Sequence, residues 1–301
     1  MTAADLMARA AKGVPCRACN KTMQPALMDD HGRCPMCALA PGGVEPKLRR
    51  MKRKAAEAEL MRRRLLPYVE ATVPQYHAGW VHRDICQRLE KFEQDIRDKK
   101  SPRLALAMPP RLGKSTLASQ NFPTWLMCRN PGYEIIMCGY NADIARFQSR
   151  QAQASFRGEA RKAAFPKCRI DRGATSASYW MLDNGASYLA AGVDGPLTGF
   201  GSHALILDDT TKNAAEAESL TIREAIYEWY CTTAYTRLAP GGGVLAIGTR
   251  WNDDDLMGRL IAGGDEYGGG GERGGGYDPG IAEHQAENSE EGGGRHPHRG
   301  R

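Results

Sequence analysis

The string Met108-Pro109-Pro110-Arg111-Leu112-Gly113-Lys114-Ser115-Thr116 constrains the fold of this chain more than any other. An apolar run, Arg103–Met108, precedes it, and a helix-forming segment starts near Lys114. Strand, tight loop and helix start in that order make a phosphate cradle, because unpaired backbone N–H groups and the helix dipole converge at the turn. Lys114 is placed to supply a point charge to β- and γ-phosphates, and the Ser115 hydroxyl to ligate Mg²⁺. Pro110, Arg111, Leu112, Gly113 and Thr116 complete the candidate ATP-binding loop. The match to G-x-x-x-x-G-K-[ST] is incomplete, since Met108 stands where the first glycine belongs. A bare Gly-Lys-Ser also occurs at ordinary helix starts, so the string needs support from elsewhere in the chain.

That support is Ala204-Leu205-Ile206-Leu207 followed by Asp208-Asp209. An apolar strand ending in two carboxylates suits a Mg²⁺ site: Asp208 is the candidate metal carboxylate, and Asp209 the candidate base for the attacking water. The plainer alternative is a strand-end Asp capping a turn. A third strand, Val244–Thr249, ends in a polar residue, and Thr249 is the candidate that faces the γ-phosphate; otherwise it simply closes a strand. Upstream, Pro74-Gln75-Tyr76-His77 and Trp80-Val81-His82 precede a helix expected over Asp84–Ile96. Gln75 beside an aromatic is a weak candidate for holding adenine. A core or surface aromatic cluster accounts for the same residues.

Around these motifs, residues 67–262 alternate short apolar strands with helical patterns. The alternation points to an α/β domain, a P-loop NTPase with a mainly parallel sheet and helices on both faces. Further elements are expected as a strand at Glu134–Gly139 and a helix at Asp143–Phe156. Tyr179–Leu182 and Ser187–Ala191 flank Asp183-Asn184-Gly185, a hairpin signal of type I′. Ser219 is placed to cap a helix running to about Thr236, and Asp253 to open the last helix. Residues 46–66 carry nine Lys and Arg against Glu57 and Glu59. That basic helical linker suits a polyanion such as DNA, or is a solvated basic helix. Residues 263–301 contain 14 glycines and only Tyr267, Tyr277 and Ile281 as larger apolar side chains. Such a tail buries too little to offset its ordering entropy, and disorder is expected. No apolar run approaches the roughly 20 residues that cross a bilayer, and no signal-peptide core is visible, so a cytosolic protein without a membrane partner is expected.

Taken together, MPPRLGKSTLAS with FPTWLMCRNP, GYNADIARFQSR, GVDGPLTGFGSHALILDDTTKNAAEAES and REAIYEWYCTTAYTRLAPGGGVLAIGTRWNDDDLMGRL resemble the phage terminase large subunit family over residues 67–262. The resemblance implies a P-loop fold of the additional-strand type, with ATP and Mg²⁺ as cofactors. It implies a motor that translocates double-stranded DNA into a procapsid, in the cytoplasm of the bacterial host. Implied partners are a portal protein, a small terminase subunit and further copies of the chain in a ring. Residue by residue, Lys114 and Ser115 match the loop pair, Asp208 the metal carboxylate and Thr249 the coupling residue. Asp209 stands where many relatives carry a catalytic Glu, and reaches one methylene less far. Thr198 stands where many carry an arginine about ten residues before the metal carboxylate, which leaves Arg111, Arg146 and Arg150 as candidates for an arginine finger. The family continues into a nuclease domain of RNase H type, whereas Gly-rich sequence follows Leu260 here, as a truncation or frame change would produce; no nuclease activity is expected of this chain. The alternatives are an inert DNA- or protein-binding remnant and a helicase-like ATPase outside packaging.

The N-terminal segment 1–45 lies outside that resemblance. Cys16-x2-Cys19 and Cys34-x2-Cys37 are separated by 14 residues. Two such pairs fit a Cys₄ zinc ribbon with tetrahedral thiolate ligation, which adds folding energy to a segment too short for its own core. Unligated cysteines in a flexible leader are the alternative. The purified chain should therefore hold about one Zn²⁺ per molecule. Elemental analysis that finds no metal after chelator-free purification would remove the ribbon.

Overall fold

The computed structural model describes residues 14–17, 22–23, 44–263 and 278–280. The chain divides into two units, Met1–Glu59 and Leu60–Arg301. In the first, β1 (Val14–Pro15) pairs antiparallel with β2 (Thr22–Met23), matching Val14 to Met23. Cys16 is buried in the segment between them. Cys19, Cys34 and Cys37 lie outside the described residues, and so does the expected zinc ribbon; among the described residues no three or more His, Cys, Asp or Glu side chains cluster as metal ligands. The basic stretch forms α1 (Val44–Arg63), which straddles the division. No helix among the described residues is long and apolar enough to cross a membrane.

The second unit is a mixed α/β fold on a mostly parallel sheet. Its elements are α2 (Leu65–Thr72), α3 (Trp80–Arg97), β3 (Arg103–Ala107), α4 (Phe122–Arg129), β4 (Glu134–Gly139), α5 (Ala142–Arg157), α6 (Glu159–Ala164), β5 (Ile170–Thr175), β6 (Tyr179–Leu182), β7 (Ser187–Gly192) and β8 (Ser202–Asp208). They continue as α7 (Ala214–Glu218), α8 (Leu220–Trp229), β9 (Leu238–Gly248), α9 (Leu256–Ile261) and β10 (Asp278–Gly280). Sheet order is β10-β3-β9-β8-β4-β7-β6-β5. From β10 through β7 every pairing is parallel, and the β7-β6 and β6-β5 pairings are antiparallel. β9 lies between β3, which leads into the 109–113 loop, and β8, which ends in Asp208.

The central strands are continuously apolar because helices cover both faces, as parallel sheets require. On one face Ala105, Ile136, Leu189, Leu205, Leu207 and Val244 pack with Ile226, Trp229 and Tyr230, and with Leu256 and Leu260 of α9. On the other, α3 packs on β3 and β9, and α5 on β4 and β7.

Three local expectations are corrected. The β6–β7 hairpin is present, but of its turn residues only Gly185 has positive φ, at 83°. Gly185 N–H donates to Leu182 O at 3.0 Å and Leu182 N–H to Ala186 O at 2.8 Å. That is a three-residue connection with its left-handed residue last, rather than type I′. Asn184 is held away from the I′ geometry because its side chain donates to Met127 O at 2.9 Å and accepts from Ala186 N–H at 3.0 Å. Second, the last helix is capped by Asp255, not Asp253: Gly258 N–H donates to Asp255 Oδ1 at 2.8 Å. Third, Ser219 does cap α8, but the α-helix ends at Trp229 and continues as a π-turn, Tyr230–Ala234, and a 3₁₀ turn, Tyr235–Arg237. In the segment expected to be disordered, residues 278–280 form an edge strand, since the open row of β3 backbone groups accepts a chain regardless of side chains.

Gly192 ends β7 against the start of α5. A Cβ there would sit 2.6 Å from Ala142 N and 2.7 Å from Asn141 C, both backbone atoms that cannot move aside. Asn141 is itself committed as the α5 cap, accepting from Ile144 N–H at 2.9 Å. Gly192→Ala should lower unfolding stability by about 1–3 kcal/mol. An unchanged denaturant midpoint would show that α5 is not seated on β7 as described.

Candidate functional site

The site lies at the carboxyl ends of β3, β8 and β9, where an open α/β sheet forms its crevice. Register brings the strand ends level: Ala107 is opposite Gly248, and Asp208 is opposite both Ile247 and Gly139. Met108 N–H donates to Gly248 O at 3.1 Å, so the 109–113 loop leaves the sheet beside Thr249. The chain turns helical at Lys114 and runs through a π-helical stretch, Thr116–Asn121, into α4.

Within the loop Arg111 and Gly113 both have left-handed φ, at 65° and 78°. Such residues set between right-handed ones turn successive N–H groups into one concavity, an anion nest. Leu117 N–H closes the first helical turn onto Gly113 O at 3.0 Å. Pro110, Arg111 and Leu112 are exposed, and Thr116 is half-buried behind them.

Lys114 is buried, and its ammonium donates to Asp209 Oδ1 at 3.0 Å and to Thr249 Oγ1 at 2.9 Å. Thr249 Oγ1 in turn donates to Met108 O at 3.2 Å, and Thr249 N–H to Asp209 Oδ1 at 3.0 Å. Asp209 sits at φ 45°, held there because its N–H donates to Ile247 O and its carbonyl accepts from Tyr140 N–H, bridging the ends of β9 and β4.

Asp208 is nearly fully buried. Ser119 Oγ donates to its Oδ2 at 2.6 Å and Ser115 Oγ to its Oδ1 at 3.4 Å. Burial pushes its carboxyl up to about 6; the Ser119 bond opposes this, Asp209 adds to it, and Lys114 opposes it. A buried carboxylate whose protein partners leave it short of positive charge fits a divalent cation, with Ser115 and Asp208 as the side chains that would hold it. A cleft lined by Tyr140, Ile144, Gln148, Asp208 and Asp209 opens beside the pair.

The structure thus gathers Lys114, Ser115, Asp208, Asp209 and Thr249, which lie far apart in sequence. Gln75 is exposed and does not join them. Its neighbours reach the loop instead: His82 Nε2 bonds to Leu112 O at 2.9 Å, and Tyr76 packs edge-on against the His82 ring at 5.4 Å. Ser119 was missed by sequence reading. Its signal was the i, i+4 spacing from Ser115, which puts both hydroxyls on one helical face. Of the candidate arginines, Arg146 pairs with Asp143, while Arg111 and Arg150 are exposed.

Arg111 supplies a local test. A left-handed φ costs an L-residue roughly 1–2 kcal/mol, and a β-branched side chain tolerates it worst. Arg111→Val should be less stable than Arg111→Gly by about that amount. Equal unfolding midpoints for the two variants would contradict the loop conformation.

Residues 106–289, more than half of the chain, match the family model described as terminase large subunit, T4likevirus-type, N-terminal. Among solved structures, the HK97 bacteriophage large terminase is similar at 17% identity and a TM-score of 0.43, over 68% of this chain and 41% of that one. The chain therefore spans about two fifths of that terminase's length. A variant of the Thermus phage P74-26 large terminase ATPase domain is similar at 18% identity and a TM-score of 0.40, over 62% of this chain and 70% of that domain. No curated protein matches the chain in sequence.

Proposed function

This chain belongs to the terminase large subunit family of the T4-like virus type, in its N-terminal ATPase part, and from that premise we propose that it hydrolyses ATP to drive double-stranded viral DNA into a procapsid. The observation that carries the proposal is the bonding of one buried ammonium, Lys114, to the ends of two neighbouring strands through Asp209 and Thr249. The interposed β9 supports the additional-strand reading of the fold.

In the proposed reaction the 110–116 loop receives the triphosphate through its backbone N–H groups, and Lys114 turns from Asp209 to the β- and γ-phosphates. Asp209 Oδ1, relieved of the ammonium, accepts the proton of the attacking water. Thr249, fixed to Met108 O, reports the change at the γ-phosphate to β9. Mg²⁺ held by Ser115 and Asp208 would neutralise charge on the phosphate oxygens. DNA, the portal protein, the small subunit and sister copies in a ring are the proposed partners, and the four N-terminal cysteines a proposed structural zinc site.

ATP turnover by the purified chain, with and without double-stranded DNA, tests this. Lys114→Ala should abolish turnover. Asp208→Asn should weaken Mg²⁺-dependent nucleotide binding, whereas Asp209→Asn should keep binding and slow turnover by roughly 10²–10⁴-fold. Undiminished turnover in Lys114→Ala, or equal loss of binding in both Asp variants, would overturn the assignment of roles. Turnover indifferent to DNA, or strand separation without portal binding, would move the protein out of packaging.

A further inference from the structure

We propose that His82 is a positioning residue for the phosphate loop, holding the Leu112 carbonyl outward so that the Gly113 N–H faces the phosphates. The proposal rests on the ATP-site reading above and deepens it. His82 lies in the first turn of α3, and Gly79 N–H donates to its Nδ1 at 3.0 Å. A ring nitrogen that accepts carries no proton, so in the neutral imidazole the proton sits on Nε2. Nε2 therefore donates to Leu112 O, at 2.9 Å.

The consequence follows from peptide geometry. Leu112 C=O and Gly113 N–H belong to one planar trans unit and point in opposite directions. Fixing the carbonyl on His82 fixes the N–H on the far side, toward the concave face of the loop. The loop has few other means of holding that plane. Pro109 and Pro110 have no N–H to donate. Gly113 has no side chain, and its φ of 78° leaves the Leu112–Gly113 peptide free to turn. Among the described residues, His82 supplies the one side-chain hydrogen bond to the backbone of 109–113.

The ring itself is braced by Tyr76, edge-on at 5.4 Å and 75°. The Tyr76 hydroxyl is buried and has no hydrogen-bond partner among the described residues, and it lies 3.5 Å from where a Gly113 Cβ would stand. A buried hydroxyl without a partner is costly, and this one abuts the glycine whose N–H the tether aims. The segment between α2 and α3 is thereby joined to the phosphate loop through one imidazole.

Two substitutions separate the tether from the helix cap. Asn at 82 can still accept from Gly79 N–H but falls short of Leu112; Gln carries a donor out to the Nε2 position. A preorganised N–H serves ground and transition states alike, so its loss should raise KM and leave kcat. His82→Asn should raise KM for Mg-ATP by about two- to tenfold with kcat roughly unchanged, and His82→Gln should return KM to within about twofold of the original. Gly79→Pro is the second variant. Gly79 has φ −75°, which proline adopts; the change removes the N–H that seats the ring and sets the proline Cδ against Nδ1 in its place, so the ring is unseated and KM should rise there too. Thermal midpoints measured in parallel exclude loss of fold as the cause. An original KM in His82→Asn and Gly79→Pro, or a His82→Gln no better than His82→Asn, overturns the tether while the ATP site stands. A parent protein that binds no Mg-ATP overturns the ATP-site reading itself.

Discussion

A single buried ammonium organises this structure. Lys114 lies under the loop, bonded to a carboxylate at the end of β8 and a hydroxyl at the end of β9. A buried charge without such partners would be strongly destabilising, so both strand ends must arrive at fixed heights. The parallel register of β3, β9 and β8 delivers them. The apolar layers on both faces hold that register, because a slip by one residue would exchange the two faces of a strand. Packing far from the site is in this sense what keeps Lys114 neutralised.

The parts legible in the sequence are those set by short-range rules. Lys114 and Ser115 follow a strand and open a helix, and Asp208 ends the apolar run Ala204–Leu207, so each could be picked out from its immediate neighbours. Thr249 was legible only as a polar strand end; its bond to Lys114 spans 135 positions and depends on β9 being inserted beside β3. Ser119 was hidden because its hydroxyl becomes meaningful only once Asp208 is known to lie beneath that helix. His82 was noticed as part of an aromatic cluster, but what it does depends on a backbone carbonyl, which no side-chain pattern encodes.

The misreadings have equally specific causes. Asp253, Asp254 and Asp255 are equivalent as caps by composition. Asp255 prevails because Gly258 N–H lies within its reach, and because Arg250 pairs with it at 3.2 Å. The Asn-Gly signal located the hairpin correctly but not its turn, since the Asn184 amide donates to Met127 O in α4. The helix expected to run unbroken from Ser219 changes to a π-turn at Tyr230, where Tyr230 and Ala234 enter the core under the sheet. In each case a tertiary contact overrode a local preference.

The charges around Lys114 also bear on why the proposed nucleotide and metal would bind together. Asp208 and Asp209 adjoin one ammonium, so the protein supplies more negative than positive charge at the point where a triphosphate would enter. A bare polyphosphate would add like charge to a poorly solvated pocket and would be repelled. The loop's N–H dipoles offset part of that, and Lys114 part, but Lys114 is also what Asp209 leans on. A divalent cation held by Ser115 and Asp208 would resolve the conflict, because it would compensate the buried carboxyl and leave the ammonium available for phosphate. In that reading Asp209 would lose its partner only when cation and nucleotide are both present. In the proposed reaction, water activation by Asp209 would thereby be tied to a filled site, without any further moving part.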